Sequence, residues 1–235
     1  MNIYSYSEWL NSLTETKVKV KKSDRTQNVL KIATAELLNE TPYQNLHISA
    51  ICKKADVGAG TFYRYFDGKK EITESVLIDV AQQFANLMSS SSKANRSKPL
   101  LELFTQANLT YFRFANENQG LFRCLLHASD QEYDLGLIGD SASASWSLRF
   151  TESILLNHPE LNKESVLVMA NCLASMLDDV IARLTFRQDR SFSALLDKNE
   201  INDEKMAEFV AVLWYRVIFG CDPKGASPDV YFQSL

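Results

Sequence analysis

Apolar residues recur at intervals of three and four along most of the chain, and sustained alternation of apolar and polar positions is nearly absent. The first pattern places apolar side chains on one face of an α-helix, whereas alternation would indicate a half-buried strand. A short helix is predicted within residues 1–15, where Trp9, Leu10 and Leu13 supply the apolar positions. Clearer patterns predict helices over residues 24–40, 48–55, 61–66, 69–88, 99–116, 120–128, 141–157, 164–187 and 203–219. The predicted fold class is all-α.

Glycine, proline and small polar residues mark the expected breaks between these helices. Pro42 disfavours helical backbone in the residue before it, and Asp56 tolerates the left-handed backbone that ends a helix. Gly136 and Gly139 are expected to keep the chain out of a helix before residue 141. The run SSSSKANRSK over residues 89–98 is the clearest candidate for a linker.

Two of the eight glycines in the chain lie just before a cluster of four aromatic residues, in the stretch VGAGTFYRYF over residues 57–66. Two helices joined by a tight turn, the second very short, are typical of a helix-turn-helix. At Gly58 and Gly60 the lack of a side chain lets the second helix approach a DNA backbone and base edges closely. These residues predict a DNA-binding domain over 24–70, after an extension over 1–23 and before a larger helical domain over 71–235. The helix at about 69–88 connects the last two.

The four aromatic residues divide by their position around the short helix. Phe62 and Phe66 are four residues apart, so they share a face and are predicted to belong to the core of the small domain. Tyr63 and Tyr65 lie on other faces and keep a hydroxyl that can donate to a phosphate. For Tyr63, packing within the domain is the alternative.

The formal net charge is −4, so the chain as a whole lacks the basic balance of a nucleic-acid-binding protein. The charge is unevenly distributed, with +2 over residues 1–75 and −6 over the remainder. Part of the basic excess lies in KVKVKKSDR, residues 17–25, which holds four lysines and an arginine. Such a run is either a solvated, mobile tail or an arm that follows phosphates or enters the minor groove, and the sequence leaves both open.

Together these features resemble the tetracycline-repressor (TetR) family of bacterial regulators over about residues 25–77. The family pattern combines an isoleucine-alanine pair, a glycine-valine turn, Gly-Thr, an aromatic-rich short helix and a lysine that starts the next helix. The matching residues are Ile51, Cys52, Asp56, Val57, Gly60, Thr61, Phe62, Tyr63, Arg64, Tyr65, Phe66 and Lys69. The departures are Asp56 for a usual glycine, Gly58 for a serine that caps the recognition helix, and His47 for a serine or threonine cap.

The resemblance implies roles for individual residues of the motif. Contacts to phosphates are implied for His47, Thr61, Tyr63, Tyr65 and Lys69, with Gly58 at the point of close approach. Base reading is implied for Ser49, Ala59 and Arg64, since an arginine can bridge the O6 and N7 atoms of a guanine. For Arg64, a solvated or phosphate-bound side chain is an equal alternative.

Two helices near the C-terminus carry apolar faces wide enough to need cover, either from the same chain or from a second copy. In the TetR family the last two long helices pair with their copies in a four-helix bundle, so the resemblance implies a homodimer. The interface residues predicted in this way are Val166, Leu173, Leu177, Val180, Leu184, Phe209, Leu213 and Val217. A two-fold dimer would bind a roughly palindromic operator, with recognition helices about 34–36 Å apart.

The middle helices are rich in aromatic residues and carry a few polar side chains on or near the same faces. A mostly apolar cavity with a few polar groups is how ligand sites are built between helices, and the resemblance implies an effector pocket here. The predicted pocket residues are Phe104, Asn108, Tyr111, Phe122, His127, Trp146, Phe150 and Asn171, with Arg149 as a further polar group. For each polar residue, surface exposure or an internal hydrogen bond is the alternative. A lipophilic or aromatic small molecule would suit such a lining.

The predicted function is a ligand-responsive, homodimeric, DNA-binding transcriptional regulator, a repressor released from a palindromic operator by a small effector. The alternative is a protein of the same fold that acts chiefly through a protein partner. An enzyme is not expected, because GDSAS at residues 139–143 lacks the second glycine of a nucleophile elbow and the preceding strand. No cofactor, metal site or membrane segment is predicted, and a cytoplasmic location with four reduced, buried cysteines is expected.

Overall fold

The computed structural model describes residues 4–16, 22–94, 98–126 and 133–224. Within these ranges the chain forms eleven α-helices, one 3-10 turn at Tyr43–Asn45 and no strand, which confirms the predicted all-α class. The helices are α1 (Tyr6–Thr16), α2 (Lys22–Glu40), α3 (Ile48–Lys54), α4 (Ala59–Phe62), α5 (Lys69–Ala94), α6 (Leu100–Glu117), α7 (Gln119–Leu126), α8 (Tyr133–Asn157), α9 (Lys163–Leu184), α10 (Arg190–Lys198) and α11 (Asp203–Phe219). Residues 17–21 of the basic run lie outside the described residues, so both interpretations of that run stay open.

The chain forms two compact units, each made of two separate stretches. The first unit contains Met1–Phe84 and Phe114–Asp140, and the second contains Ala85–Arg113 and Ser141–Leu235. Helices α5, α6 and α8 each begin in one unit and end in the other along the sequence. The division predicted near residue 70 is a functional one and stays a prediction, whereas the compact units divide within α5.

In the first unit, α1, α3 and α7 all pack against α2. The N-terminal helix α1 is held by Tyr6, whose backbone N–H donates to Asn118 Oδ1 and whose hydroxyl donates to Asp79 Oδ2, both at 3.0 Å. Lys31 of α2 forms an ion pair with the same Asp79 oxygen at 2.8 Å. This network ties α1 to α2, to α5 and to the end of α6. The side chains buried in this unit include Leu30, Leu38, Ile51, Phe62, Ile72, Val76, Leu77 and Leu121.

Helix α7 approaches α2 so closely that no side chain fits between their backbones at one point. A Cβ atom at Gly120 would lie 2.0 Å from the carbonyl oxygen of Leu38. The N–H of Gly120 donates to Asn39 Oδ1 at 2.8 Å. Arg123 donates from Nη2 to the carbonyl oxygens of Leu38 (2.7 Å) and Thr41 (3.0 Å). The two bonds from Arg123 help to satisfy carbonyl groups that the end of α2 leaves without helical partners.

In the second unit, α9 packs against α10 and α11. A polar side chain caps the start of each of these helices, at Asn162, Asp189 and Asn202, and accepts hydrogen bonds from N–H groups of the first turn. Gly220 follows α11 with a φ of 66°, a left-handed conformation that glycine adopts without strain. The side chains buried in this unit include Ala170, Leu173, Leu177, Ile181, Met206, Val210, Trp214 and Ile218.

Two of the breaks predicted between helices are wrong. Helix α5 continues to Ala94, so the first part of the predicted linker at 89–98 is helical. Helix α8 begins at Tyr133 and contains both Gly136 and Gly139. Gly139 lies inside a helix because close packing excludes a side chain there, since a Cβ atom would lie 2.5 Å from the carbonyl oxygen of Leu125.

Helix α10 is absent from the sequence prediction. It has nine residues, of which Leu196 is buried. A helix this short holds too few apolar repeats to show a clear period of 3.6. Its cap was the available indication, because Asp189 Oδ1 accepts from the N–H groups of Ser191 and Phe192 at 3.1 Å.

Among the described residues, α9 is the helix that is long and apolar enough to cross a membrane. Several of its apolar residues belong to the core, since Val166, Leu173 and Leu177 are at most 4% exposed, whereas Val168 is 63% exposed. The three buried side chains have almost no surface left for a second copy, contrary to the interface role predicted for them. Of the other residues predicted for that interface, Val217 is 45% exposed, and Val180, Leu184, Phe209 and Leu213 are half-buried.

The cysteines depart from the expectation that all four are buried. Cys52 and Cys124 are buried, whereas Cys172 on α9 and Cys221 after α11 are exposed. Within the described ranges, no group of three or more histidine, cysteine, aspartate or glutamate side chains is arranged to hold a metal ion.

Candidate nucleic-acid interface

Helices α3 and α4 form the predicted helix-turn-helix in the first unit. Asp56, in the turn between them, has a φ of 53°, the left-handed conformation expected for it. The N–H of Val57 donates to the carbonyl oxygen of Cys52 at 3.0 Å, and this bond closes the turn. The aspartate that replaces the usual glycine therefore keeps the turn geometry of the motif.

The aromatic residues after the turn divide as predicted. Phe62 is fully buried and Phe66 is 3% exposed, with their ring centroids 6.0 Å apart. Tyr63 is 57% exposed and Tyr65 is half-buried, so both rings are open to solvent in part. The N–H of Phe66 donates to the carbonyl oxygen of Phe62 at 3.0 Å, so a helical turn continues beyond α4. The two phenylalanines anchor this short helix in the core and leave its other faces outside.

Gly58 and Gly60 leave the outer side of α4 open. A Cβ atom at either position would meet nothing within 4 Å, and both residues are exposed, as is Ala59 between them. Neither glycine has the positive φ that would require glycine. The fold therefore does not need small residues here. The absence of side chains leaves the backbone of α4 accessible from this side.

Neither helix of the motif begins with a side-chain cap. His47 precedes α3 and Gly58 precedes α4, and neither accepts a hydrogen bond from the first helical turn through a side chain. Gly58 has φ −75° and ψ 152°, which is the extended backbone of an N-cap residue. A serine at this position would fit both the backbone and the open space around it.

Gly58→Ser is expected to raise the free energy of unfolding by about 0.5–1 kcal/mol, through a new cap and a less flexible unfolded chain. Urea denaturation of the two proteins measures the difference. Gly58→Ala is the matched control, because it restricts the unfolded chain equally but supplies no cap. A serine variant no more stable than the alanine variant would show that no cap forms.

Arg64 and Lys53 are exposed basic residues of the motif, and neither forms an ion pair with any described residue. Lys54, by contrast, pairs with Glu36 at 3.3 Å and Glu40 at 2.9 Å, so its charge is compensated within the unit. A cation without an internal partner loses no ion pair when it meets a phosphate or a base edge. Arg64 and Lys53 are therefore the better placed cations for binding a nucleic acid.

Lys69 begins α5 and lies against the 3-10 turn. Its Nζ donates to the carbonyl oxygens of Tyr43 and Gln44, both at 3.2 Å, and lies 4.6 Å from the centre of the Tyr43 ring. The ammonium group is thus held in place by the protein. His47 and Ser49 are exposed at the start of α3. The residues predicted to contact DNA all belong to α3, α4, their flanks or the start of α5, within the first unit.

The second unit contains a cavity of about 260 Å³. Phe104, Ile154 and Trp214 are buried and form its inner wall. Ser89, Arg149 and Ser153 are exposed and form its open side. The complete lining is Ala85, Met88, Ser89, Leu100, Leu103, Phe104, Ala107, Trp146, Arg149, Phe150, Ser153, Ile154 and Trp214.

The structure places some of the predicted pocket residues at this cavity and others away from it. Phe104, Trp146 and Phe150 line it, as does Arg149. His127 lies outside the described residues. Trp214 and the three α5 residues at positions 85, 88 and 89 line it without having been predicted. The apolar spacing of α5 and α11 is the same for a cavity wall as for a core, so only the packing of the helices distinguishes the two.

Three further residues predicted for the pocket do not line the cavity. Phe122 belongs to the first unit, where its ring packs in an aromatic cluster with Phe84 and Phe114. Asn171 is exposed, and its Nδ2 donates to the carbonyl oxygen four residues earlier in α9. Asn108 is buried and its Nδ2 donates to the carbonyl oxygen of Ala207 at 3.3 Å. Each asparagine thus makes the internal hydrogen bond that was the alternative to ligand contact.

Tyr111, also predicted for the pocket, is directed to a half-buried carboxylate instead. Its hydroxyl donates to Asp178 Oδ1 on α9. Burial raises the pKa of Asp178, and the hydrogen bond from Tyr111 lowers it by less. Burial and the neighbouring Asp178 also raise the pKa of Tyr111. The pair links α6 to α9 within the second unit.

The free energy of unfolding of Asp178→Asn is expected to rise relative to that of the natural protein as the pH rises above the ordinary pKa of aspartate. The folded chain holds the Asp178 proton to higher pH than the unfolded chain does. The stability contributed by the protonated carboxyl is therefore present at low pH and is lost as pH rises through the folded pKa. Asparagine can still accept from Tyr111 but does not ionise. The relative gain in the stability of the variant amounts to about 1.4 kcal/mol for each unit by which the pKa of Asp178 is raised. Urea denaturation at pH 4.5 and 7.5 measures this gain. A difference that does not change with pH would contradict the elevated pKa.

Comparison with known proteins bears on the first unit most directly. Residues 32–76 match the model of the tetR family of bacterial regulatory proteins, and this range contains α3 and α4. Over 117 residues the chain is 28% identical to nucleoid occlusion factor SlmA of Haemophilus ducreyi, which is 48% of this chain and 56% of that protein. SlmA of Glaesserella parasuis is 25% identical over 116 residues, again 48% and 56% of the two chains. The chain thus spans little more than half the length of these curated relatives.

Solved structures share the fold over most of the chain. A TetR-family transcriptional regulator from Syntrophomonas wolfei aligns with a TM-score of 0.64 at 19% identity, over 84% of this chain and 96% of that one. A TetR-like regulator from Rhodococcus sp. RHA1 gives 0.61 at 15% identity, over 86% and 100% of the two chains. The fatty acid degradation regulator FadR from Bacillus halodurans gives 0.59 at 17% identity, over 86% and 97%. At these identities the likeness shows the fold.

The fold and the motif define an all-α protein with a helix-turn-helix near its N-terminus. The match over residues 32–76 to the model of the tetR family of bacterial regulatory proteins confirms the resemblance seen in the sequence. This family consists of transcriptional regulators rather than enzymes, in agreement with the prediction against catalysis.

Proposed function

We propose that the chain is a cytoplasmic, DNA-binding transcriptional regulator whose helix α4 enters the major groove. The observation that carries this proposal is the open surface at Gly58 and Gly60, where the fold would accept a side chain and none is present. Tyr63 and Arg64 are exposed on the same short helix. Arg64, Ser49 and Ala59 then read base edges, while the remaining residues of the motif contact phosphates, namely His47, Thr61, Tyr63, Tyr65 and Lys69.

The regulator acts as a homodimer in this proposal, as is typical of its family. Helices α9 and α11 of the second unit expose Val168 (63%) and Val217 (45%), and Leu213 is half-buried. These residues provide the apolar surface for a second copy, in place of the fully buried ones predicted from the sequence. A two-fold arrangement requires an operator that is roughly palindromic, with half-sites about one DNA turn apart.

A small effector bound in the cavity of the second unit is proposed to release the protein from its operator. Helix α5 begins with Lys69 of the motif, and Ala85, Met88 and Ser89 near its other end line the cavity. One continuous helix therefore carries residues of both sites. Release requires that the effector bind more tightly to the form in which the two recognition helices do not match the operator spacing.

Footprinting of the purified protein on the intergenic DNA beside its own gene tests this function. Protection of a palindrome, reduced at higher salt and weakened by Tyr63→Ala, is the expected result. Lys98→Ala is the matched control, because Lys98 forms an ion pair with Glu102 in the second unit, away from the motif in sequence. Absence of protection at every salt concentration would contradict the proposal.

The likeness to nucleoid occlusion factors favours a second candidate function, a DNA-bound protein that acts chiefly through a protein partner. This candidate also requires the motif, so DNA binding alone does not distinguish the two. A chromatin map does: a regulator protects a few promoters, whereas the second candidate binds many sites dispersed over the chromosome and shows no response to small molecules.

A further inference from the structure

The cavity in the second unit carries charge of one sign. Among the described residues that line it, Arg149 is charged, and no aspartate or glutamate is present. Arg149 forms no ion pair with the described residues and lies on the exposed side of the cavity. A positively charged ligand would meet this guanidinium without a carboxylate to compensate it, whereas an anion would find a partner.

Part of the cavity lining is a set of four aromatic rings at fixed angles. The rings of Trp146 and Phe150 are stacked, with centroids 5.0 Å apart and planes 22° apart. Trp214 and Phe150 meet edge to face, with centroids 5.5 Å apart and planes at 83°. Phe104 lies 6.0 Å from Trp214. Flat rings of this kind favour a planar apolar ligand that can stack on one ring and meet the edge of another.

One polar group in the wall has no partner. Trp214 is 1% exposed, and its Nε1 has no hydrogen-bond acceptor among the described residues. An indole nitrogen is a donor only, and a buried donor without an acceptor is unfavourable. This nitrogen has almost no accessible surface, so a ligand in the cavity does not touch it. The volume, about 260 Å³, corresponds to roughly nine water-sized groups, so the ligand is small.

We propose that the effector is a small, planar aromatic anion of the carboxylate class. Its ring system binds among Trp146, Phe150 and Trp214, and its carboxylate pairs with Arg149. An aromatic wall alone would equally suit an organic cation. The sign of the charge at Arg149 decides between these two ligands. This inference rests on the proposed function, since it names the ligand of the effector site.

Three matched probes test the sign of the charge: 2-naphthoate, its neutral analogue 2-naphthamide, and 2-naphthylmethylammonium. Isothermal titration of the full chain at low salt is expected to rank their affinities in that order. Arg149→Gln should reduce the preference for the carboxylate over the amide by about fivefold, as for an exposed ion pair. Arg149→Glu should reverse the order, so that the ammonium compound binds best.

Trp214→Phe tests the aromatic wall separately. It should weaken all three probes alike, because it removes ring surface and leaves the charge at Arg149 unchanged, and it should lower the free energy of unfolding, because the smaller ring leaves a void among buried side chains. Tightest binding of the ammonium probe, a charge preference that survives Arg149→Gln, or no binding of any probe would each overturn the inference.

The ligand experiment and the DNA experiment fail independently. Titration of the probes requires no operator, and footprinting requires no ligand. Binding of 2-naphthoate with the expected Arg149 dependence but without any footprint would retain the ligand site and refute the regulator. A footprint with no charge preference among the probes would retain the regulator and refute the aromatic anion.

Discussion

Arg64→Ala is expected to weaken binding to the operator about 10- to 100-fold, because an arginine that bridges guanine O6 and N7 contributes about 1–3 kcal/mol of discrimination. Arg64 is exposed and has no acidic partner among the described residues, so it can reach a base edge without losing an ion pair. This loss of affinity should be confined to the natural operator sequence. Anisotropy titrations with a labelled operator, and with a copy changed at one half-site base pair at a time, measure affinity and specificity together.

Arg64→Lys separates base reading from phosphate contact. Lysine keeps the positive charge but lacks the planar fork, so this variant should lose specificity and keep much of the non-specific affinity. Lys53→Ala is the matched control, expected to weaken binding to all sequences alike and to lower the salt slope by about one. Operator binding by Arg64→Lys as tight as that of the natural protein would show that Arg64 contacts a phosphate or only solvent.

Gly120→Ala is expected to lower the free energy of unfolding by about 2–4 kcal/mol, because the added atom cannot be accommodated by a side-chain movement. The new Cβ would lie 2.0 Å from the carbonyl oxygen of Leu38 and 2.3 Å from its carbonyl carbon, both backbone atoms. Helix α7 would have to move away from α2. The hydrogen bonds that Gly120 and Arg123 donate to the end of α2 would then lengthen. Urea denaturation followed by circular dichroism measures the loss.

Gly60→Ala is the control for this effect. A Cβ at Gly60 meets nothing within 4 Å, so the same chemical change should leave stability unchanged or raise it by up to about 1 kcal/mol through helix propensity. Unchanged stability in Gly120→Ala would contradict the close approach of α7 to α2. Equal losses of stability in the two variants would mean that the destabilisation of Gly120→Ala does not come from the α2–α7 contact.

The helix-turn-helix could be predicted from local chemistry because each of its features depends on neighbours in sequence. Asp56 adopts the left-handed turn, and Phe62 and Phe66 fill the core while Tyr63 stays exposed. These outcomes follow from backbone preference and from helical spacing. A capping residue can also be recognised in sequence. Gly58 stands where the family has a capping serine, and the structure shows no side-chain cap at this position.

Features that depend on distant residues could not be predicted in this way. Gly139 normally indicates a break, but here it allows a helix to pass the carbonyl oxygen of Leu125. The apolar face of α9 has the spacing of a dimer interface, yet Val166 and Leu173 are core. The cavity is formed by four helices whose apolar patterns, taken separately, are those of core helices. Trp214 belongs to one of them, and its unsatisfied Nε1 is evident only once the packing is known.

The central claim is that the small residues before Thr61 exist for close approach to DNA, and Gly60→Gln tests it most directly. The side chain would enter open space, so circular dichroism and the unfolding midpoint should match those of the natural protein. In a footprinting titration on the protected intergenic fragment, the account predicts that the folded variant gives no protection at concentrations that saturate the natural protein. Equal protection by the two proteins would contradict the claim, since α4 could not then lie against the DNA.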